Sequence, residues 1–202
     1  MTYYLFLGLT LFAFVSSITP GPNNLMLMAS GVNYGFRRTI PHMLGIGLGF
    51  GVMIAAIGFG LGALFEALPT LQLALKIFAV GYLAYLAWRI ATAPPMQAVN
   101  DSAQPTNGRP FSFMQAALFQ WVNPKAWAMG LTAISVYVPL DNPVLGVLFV
   151  VVVFVAINVP CVSSWAFAGQ QMRRFLQNPR FQRGFNLLCA SLLIASLYPM
   201  VA

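Results

Sequence analysis

Apolar residues run through this chain in six long stretches separated by short polar connections. The stretches cover Tyr4–Asn33, Ile40–Phe65, Thr70–Arg89, Phe113–Val138, Val144–Gly169 and Phe185–Ala202. Each is near the roughly 20 residues an α-helix needs to cross a hydrocarbon core about 30 Å thick. The pattern predicts an all-α integral membrane protein of six transmembrane helices. Two of the stretches are interrupted. Thr19-Pro20-Gly21-Pro22-Asn23-Asn24 lies in a segment with no charged residue from Met1 to Phe36, and Asn123-Pro124-Lys125 lies in the fourth. A proline has no amide hydrogen to give the carbonyl four residues back, and its ring displaces that carbonyl. Both helices are therefore expected to break, leaving the carbonyls of Ser16, Ile18 and Gln120 without helical donors.

Polar connections set the domain division and the orientation. The longest runs from Thr92 to Ser112 and carries Pro94, Pro95, Asn100, Asp101, Pro105, Asn107, Gly108 and Pro110. It divides the chain into a first three-helix repeat (1–93), a cytoplasmic linker (94–112) and a second three-helix repeat (113–202). Three spans are an odd number, so the second repeat enters from the opposite side, and the matched breaks predict a 3+3 inverted repeat. Eight of the 10 Lys and Arg residues fall in alternate connections: Arg37 and Arg38; Arg89 and Arg109; Arg173, Arg174, Arg180 and Arg183. The opposite connections hold Glu66 and Asp141. The basic side is the cytoplasmic one, which turns both termini outward.

Composition agrees. The chain has 202 residues, 59% hydrophobic and 6% charged, with a net charge of +7. Soluble domains carry about 25% charged residues. The placement of the basic residues between spans points to topology and away from nucleic acid. In the second span, Gly45/Gly49, Gly47/Gly51 and Gly58/Gly62 have the spacing that lets helix backbones approach closely.

The chemistry concentrates at the breaks. Measured from the basic side, both lie about 16–18 Å deep at about 1.5 Å per residue, near mid-membrane. A half-helix starting beyond a break presents unpaired amides and the positive end of its dipole. Amides for an anion and bare carbonyls for a cation at one depth suit a free amino acid. Lys125 sharpens the case, because a lysine at the bilayer centre costs about 2.5–3.5 kcal/mol on insertion scales. With Glu66, Asp101 and Asp141 all outside that depth, Lys125 is expected to face Asn23, Asn24, Asn123, polar backbone or a ligand carboxylate. The candidate substrate-binding residues are Pro20, Gly21, Pro22, Asn23, Asn24, Asn123, Pro124 and Lys125. The ammonium is expected on the carbonyls of Ser16, Ile18 or Gln120. Absence of an intramembrane acid disfavours a cationic substrate. His42 is expected at the interface, and it and Lys125 are the candidates for proton coupling.

Three motifs taken together resemble one family. They are Thr19–Asn24, the run Gly81-Tyr82-Leu83-Ala84-Tyr85-Leu86-Ala87-Trp88 after Leu75-Lys76, and Phe119-Gln120-Trp121-Val122-Asn123-Pro124-Lys125-Ala126-Trp127. They resemble the bacterial LysE/RhtB family of amino-acid exporters in length, span number and motif order. The resemblance implies inner-membrane secondary transport by alternating access, coupled to protons. It favours the branch exporting neutral compounds such as homoserine, threonine, cysteine or O-acetylserine. No enzyme activity, cofactor or metal is expected. The partners are a small-molecule amino-acid substrate and the lipid bilayer, with a homodimer left open. Two other readings stand beside export: a membrane thiol-redox relay through Cys161 and Cys189, and a passive channel.

Overall fold

The computed structural model describes residues 3–67, 69–93, 109–139, 141–176 and 178–198. The central part of the linker, 94–108 with Asp101, lies outside the described residues, as does the end of the sixth stretch from 199 onward. The first apolar stretch folds as two helices, α1 (Tyr3–Ile18) and α2 (Pro22–Tyr34), bent by 53° at the Pro-Gly-Pro break. After a turn at Gly35 come α3 (Phe36–Ala56), a π-helical turn (Ile57–Leu61), α4 (Gly62–Ala67) and α5 (Pro69–Ala91). Gly35 has φ 80°, a left-handed conformation that a side chain would strain. Beyond the linker lie α6 (Phe113–Phe119), a 3₁₀ turn (Gln120–Val122) and α7 (Pro124–Tyr137), then α8 (Pro143–Met172) and α9 (Pro179–Ala195).

The phases of this sequence follow from local chemistry. Ser112 caps α6 by accepting the Gln115 amide at 3.2 Å, and Gln115 Oε1 accepts the Ser112 amide at 3.0 Å. Asn142 and Asn178 cap α8 and α9, each followed by a proline at the first helical position. That cap starts α9 six residues before the expected Phe185, so Arg180 and Arg183 sit in its first turns and not in a connection. Apolar periodicity cannot see a helix that begins with charged residues; the Asn-Pro pair does.

Helices α3 and α8 are long and apolar enough to cross a membrane, as Phe36–Leu61 and Pro143–Met172, and the bent α1–α2 pair is a third if its two helices count as one span. The glycines of α3 work as close-packing sites on two sides. A methyl group added at Gly45 would meet the Phe113 carbonyl oxygen at 2.3 Å, and one at Gly49 would meet Ala117 Cα at 2.5 Å, both on α6. On the other side, Gly47 and Gly51 press against Val159 and Val155 of α8. Helices α2 and α8 cross through a reciprocal pair. A methyl at Gly31 would lie 2.1 Å from the Ala166 carbonyl oxygen, and one at Gly169 would lie 2.2 Å from that of Met28.

Four buried apolar clusters result among the described residues, two of them large. One joins Leu9, Phe50, Met53, Met129 and Phe154 from α1, α3, α7 and α8. The other joins Met26, Leu83, Leu86, Phe119 and Leu193 from α2, α5, α6 and α9. Large apolar side chains also cover the outside, among them Leu11, Val52, Ile77, Trp88 and Val152, as a lipid-facing surface requires. At one end of the bundle the Gly35 turn meets the end of α8, where Gln170 Oε1 accepts the Phe36 amide at 2.6 Å. Arg37 and Arg38 open α3 and Arg173 and Arg174 follow α8, so all four lie at this end of the bundle.

Candidate functional site

Each break leaves carbonyls that must find donors, and the donors come from neighbouring residues and from two side chains distant in sequence. The Asn24 side chain turns back on α1 and donates to the carbonyls of Ser17 at 2.9 Å and Thr19 at 2.8 Å. Trp165 Nε1 of α8 donates to Ile18 O at 3.0 Å, and the Thr19 hydroxyl donates to Ser16 O at 3.1 Å. At the second break, the Asn123 amide donates to Gln120 O at 3.2 Å. The three carbonyls expected to stand bare for an ammonium group are thus engaged internally, because a local rearrangement costs less than an unpaired carbonyl in a dry site.

Lys125 completes the closure. Its Nζ donates to Thr19 O at 2.7 Å, Thr19 Oγ1 at 2.9 Å and Pro20 O at 3.3 Å. The ammonium thereby caps the negative end of α1 from the other half of the chain. Gly21 makes room for it. Its backbone is extended, with φ −175° and ψ 177°, so conformation does not demand glycine there. Space does: an added methyl would lie 2.7 Å from Lys125 Cδ.

The breaks also meet through side chains. Asn23 Nδ2 donates to Gln120 Oε1 at 2.8 Å, and Gln120 Nε2 donates back to Asn23 Oδ1 at 3.3 Å. The two α-helices that start beyond the breaks differ at their N-termini. Asn123 Oδ1 caps α7 by accepting the Lys125 amide at 3.1 Å, whereas α2 begins at Pro22 with no side-chain cap. The opened amides of α2 are therefore the better anion donors of the two.

Around this junction lies a narrow cleft. Four of the residues expected from the sequence line it: Gly21, Asn23, Asn123 and Lys125. Pro20, Pro22 and Pro124 shape the breaks, and Asn24 is spent on α1. Ser16, Ser17, Phe50, Gln120, Ala126, Met129 and Asn158 complete the lining. Asn158 is 5% exposed. Its Nδ2 donates to Ser17 Oγ at 3.0 Å, while Oδ1 has no partner. A lone amide midway along an otherwise apolar α8 was the signal available for it.

His42 stands apart from the cleft. Expected at the interface from its place at the start of an apolar stretch, it is 2% exposed and packed beside Phe111 with ring centroids 5.2 Å apart. Because α3 begins at Phe36, His42 falls in its second turn and faces inward. Trp121 and Trp127 are likewise part of the packing: Trp127 Nε1 donates to Trp121 O at 2.8 Å. Cys161 and Cys189 are buried free thiols, the latter packed with Val32 and Phe185. Among the described residues, no group of His, Cys, Asp and Glu could hold a metal ion.

Residues 14–196 match the family model described as LysE type translocator. The chain is 31% identical over 198 residues to the cysteine/O-acetylserine efflux protein of Salmonella typhimurium, covering 96% of each. It is 31% identical over 187 residues to the protein of the same name from Escherichia coli strain K12, covering 91% of this chain and 90% of that one. No solved structure matches it.

Proposed function

The chain belongs to the LysE type translocator family of membrane amino-acid efflux transporters, and from that premise we propose that it exports small neutral amino acids or derivatives of the cysteine, O-acetylserine, homoserine and threonine class. Export proceeds by alternating access in a six-span, 3+3 inverted-repeat bundle, with the arginine-rich end in the cytoplasm and both termini outside. The observation that carries this reading is Lys125 reaching from one break to the other inside a polar cleft. Asn158 lines the same cleft halfway along α8, at the depth of mid-membrane for a helix of 30 residues.

The chemistry matches a zwitterion. The substrate carboxylate takes the α2 amides near Asn23 and competes with Thr19 for Lys125. Its ammonium takes Asn158 Oδ1, a buried acceptor that no protein donor satisfies. Without substrate, Lys125 holds the two halves together through Thr19 and Pro20. Substrate binding releases that clamp and lets the halves rock about the cleft. The described residues place no carboxylate in the cleft lining, which favours a neutral compound over a cationic one. Proton coupling falls to Lys125, the one charged group lining the cleft.

Proteoliposome transport of labelled cysteine, O-acetylserine, homoserine, threonine and lysine, with and without an imposed pH gradient, tests the proposal. Gradient-driven movement and trans-stimulation of a neutral compound, absent in Lys125→Met, is the expected result. Transport without trans-stimulation indicates a pore, and selective lysine transport overturns the substrate class.

A further inference from the structure

A second cavity lies at the arginine-rich end between α2, α5 and the start of the second half. Its polar lining consists of Ser30, Asn33, Tyr34, His42, Arg89 and Arg109. The loop-charge rule explains why the arginines lie at this end of the molecule, but not why two of them border one cavity with a buried histidine. Neither arginine has an ion-pair partner among the described residues. His42 is fully enclosed, and neither ring nitrogen has a hydrogen-bond partner. An imidazole always carries at least one N–H, and an unsatisfied buried donor costs about 1–3 kcal/mol. Such a group in the wall of a cavity rimmed by two guanidinium groups is arranged for an acceptor with negative charge.

The cavity is aligned with the cleft. Asn33, Ser30, Met26 and Asn23 recur at intervals of three and four along α2, and so form one stripe on one face. Asn33, Ser30 and Met26 line the cavity, and Asn23 lines the cleft. Ten residues separate Asn33 from Asn23, about 15 Å of helix axis. Between them Met26 is buried in the apolar cluster with Leu86 and Phe119. A polar cavity, an apolar layer and a polar cleft thus follow one another along a single helix.

We propose that this cavity binds a small carboxylate, with Arg89 and Arg109 as its charge partners and a ring N–H of His42 as its buried donor, and that it is the loading site for substrate at the cytoplasmic face. The loading role rests on the export reading above; the carboxylate site itself does not. Substrate held here by its carboxylate waits below the Met26–Phe119 layer until the cleft opens to this side.

The chain has one histidine, so full-length protein carrying ring-labelled histidine, purified through a histidine-free tag, gives one imidazole signal to follow. Titration with propionate, a carboxylate without an amine, should shift that signal saturably. O-acetylserine should do the same. Apparent affinity should fall roughly tenfold or more in R89Q/R109Q, the loss expected of charge-assisted hydrogen bonds. K125M, which removes the cation of the cleft, should leave the shift in place. No saturable shift in the wild-type protein overturns the site. An equal shift with chloride overturns the carboxylate assignment, and loss of the shift in K125M overturns the separation of cavity from cleft. Failure of the export reading is seen differently, as no movement of any neutral amino acid by the wild-type protein in proteoliposomes.

Discussion

Lys125 Nζ lies 2.7 Å from the carbonyl oxygen of Thr19, 106 residues earlier in the chain. One ammonium thereby closes the broken end of α1 and ties the first half of the molecule to the second. Lys125→Met should insert and fold, yet lose at least about tenfold in export, since the lost interactions include charge-assisted hydrogen bonds of about 1.5–3 kcal/mol each. Lys125→Arg should not rescue, because the planar guanidinium cannot replace a compact ammonium in so narrow a space. Transport by purified variants in proteoliposomes checks both, and wild-type export by Lys125→Met removes the residue from the mechanism.

Gly21→Ala tests the same contact from the other side. The extended backbone accepts alanine, but the new methyl sits 2.7 Å from Lys125 Cδ and must push the side chain aside. Export should fall several-fold in the wild-type background and not at all further in Lys125→Met. A double-mutant cycle reads this coupling. Additive losses would mean that Gly21 acts through something other than Lys125.

Asn158→Leu separates function from stability. Removing the unpartnered Oδ1 relieves one penalty while losing the Nδ2 bond to Ser17 costs about 0.5–1.5 kcal/mol, so the thermal midpoint should move little. Export should drop, with a higher KM for the zwitterion. A matching fall in stability and transport would make Asn158 a packing residue only.

Gly31→Ala and Gly169→Ala should both fail at assembly. Their methyl groups would collide with carbonyl oxygens at 2.1 Å and 2.2 Å, and a backbone cannot swing away as a side chain can. A loss of about 1–3 kcal/mol or more is expected from such overpacking. Gly81→Ala, with nothing within 4 Å of the new methyl, is the control. Detergent-solubilised melting curves of the three variants decide it.

The thiol-relay alternative has a direct test in the double variant Cys161→Ala, Cys189→Ala. Both thiols are free and buried, so modest packing loss with full export is the expected outcome. Abolished export in a folded protein would revive the relay.

Some of this architecture could be read without coordinates, and the reasons are local. Proline lacks an amide hydrogen wherever it stands, so the breaks at Pro20, Pro22 and Pro124 were legible from three letters. Glycines at four-residue spacing mark close helix contact whichever neighbour fills it. Arginines collect on one side because charge does not cross lipid cheaply. What the chain could not disclose was which side chains answer each break. The face that a uniformly apolar helix turns inward has no periodic signature, and rotation about the axis is set by packing against helices distant in sequence. That rotation brought Trp165, Gln120 and Lys125 to the first break, left the Asn158 amide half satisfied in the cleft, and set a buried His42 in the wall of a cavity beside Arg89. Amino-acid order determined where the helices come apart; only the packing of α2 against α8, through Gly31 and Gly169, decided what stands opposite the gap.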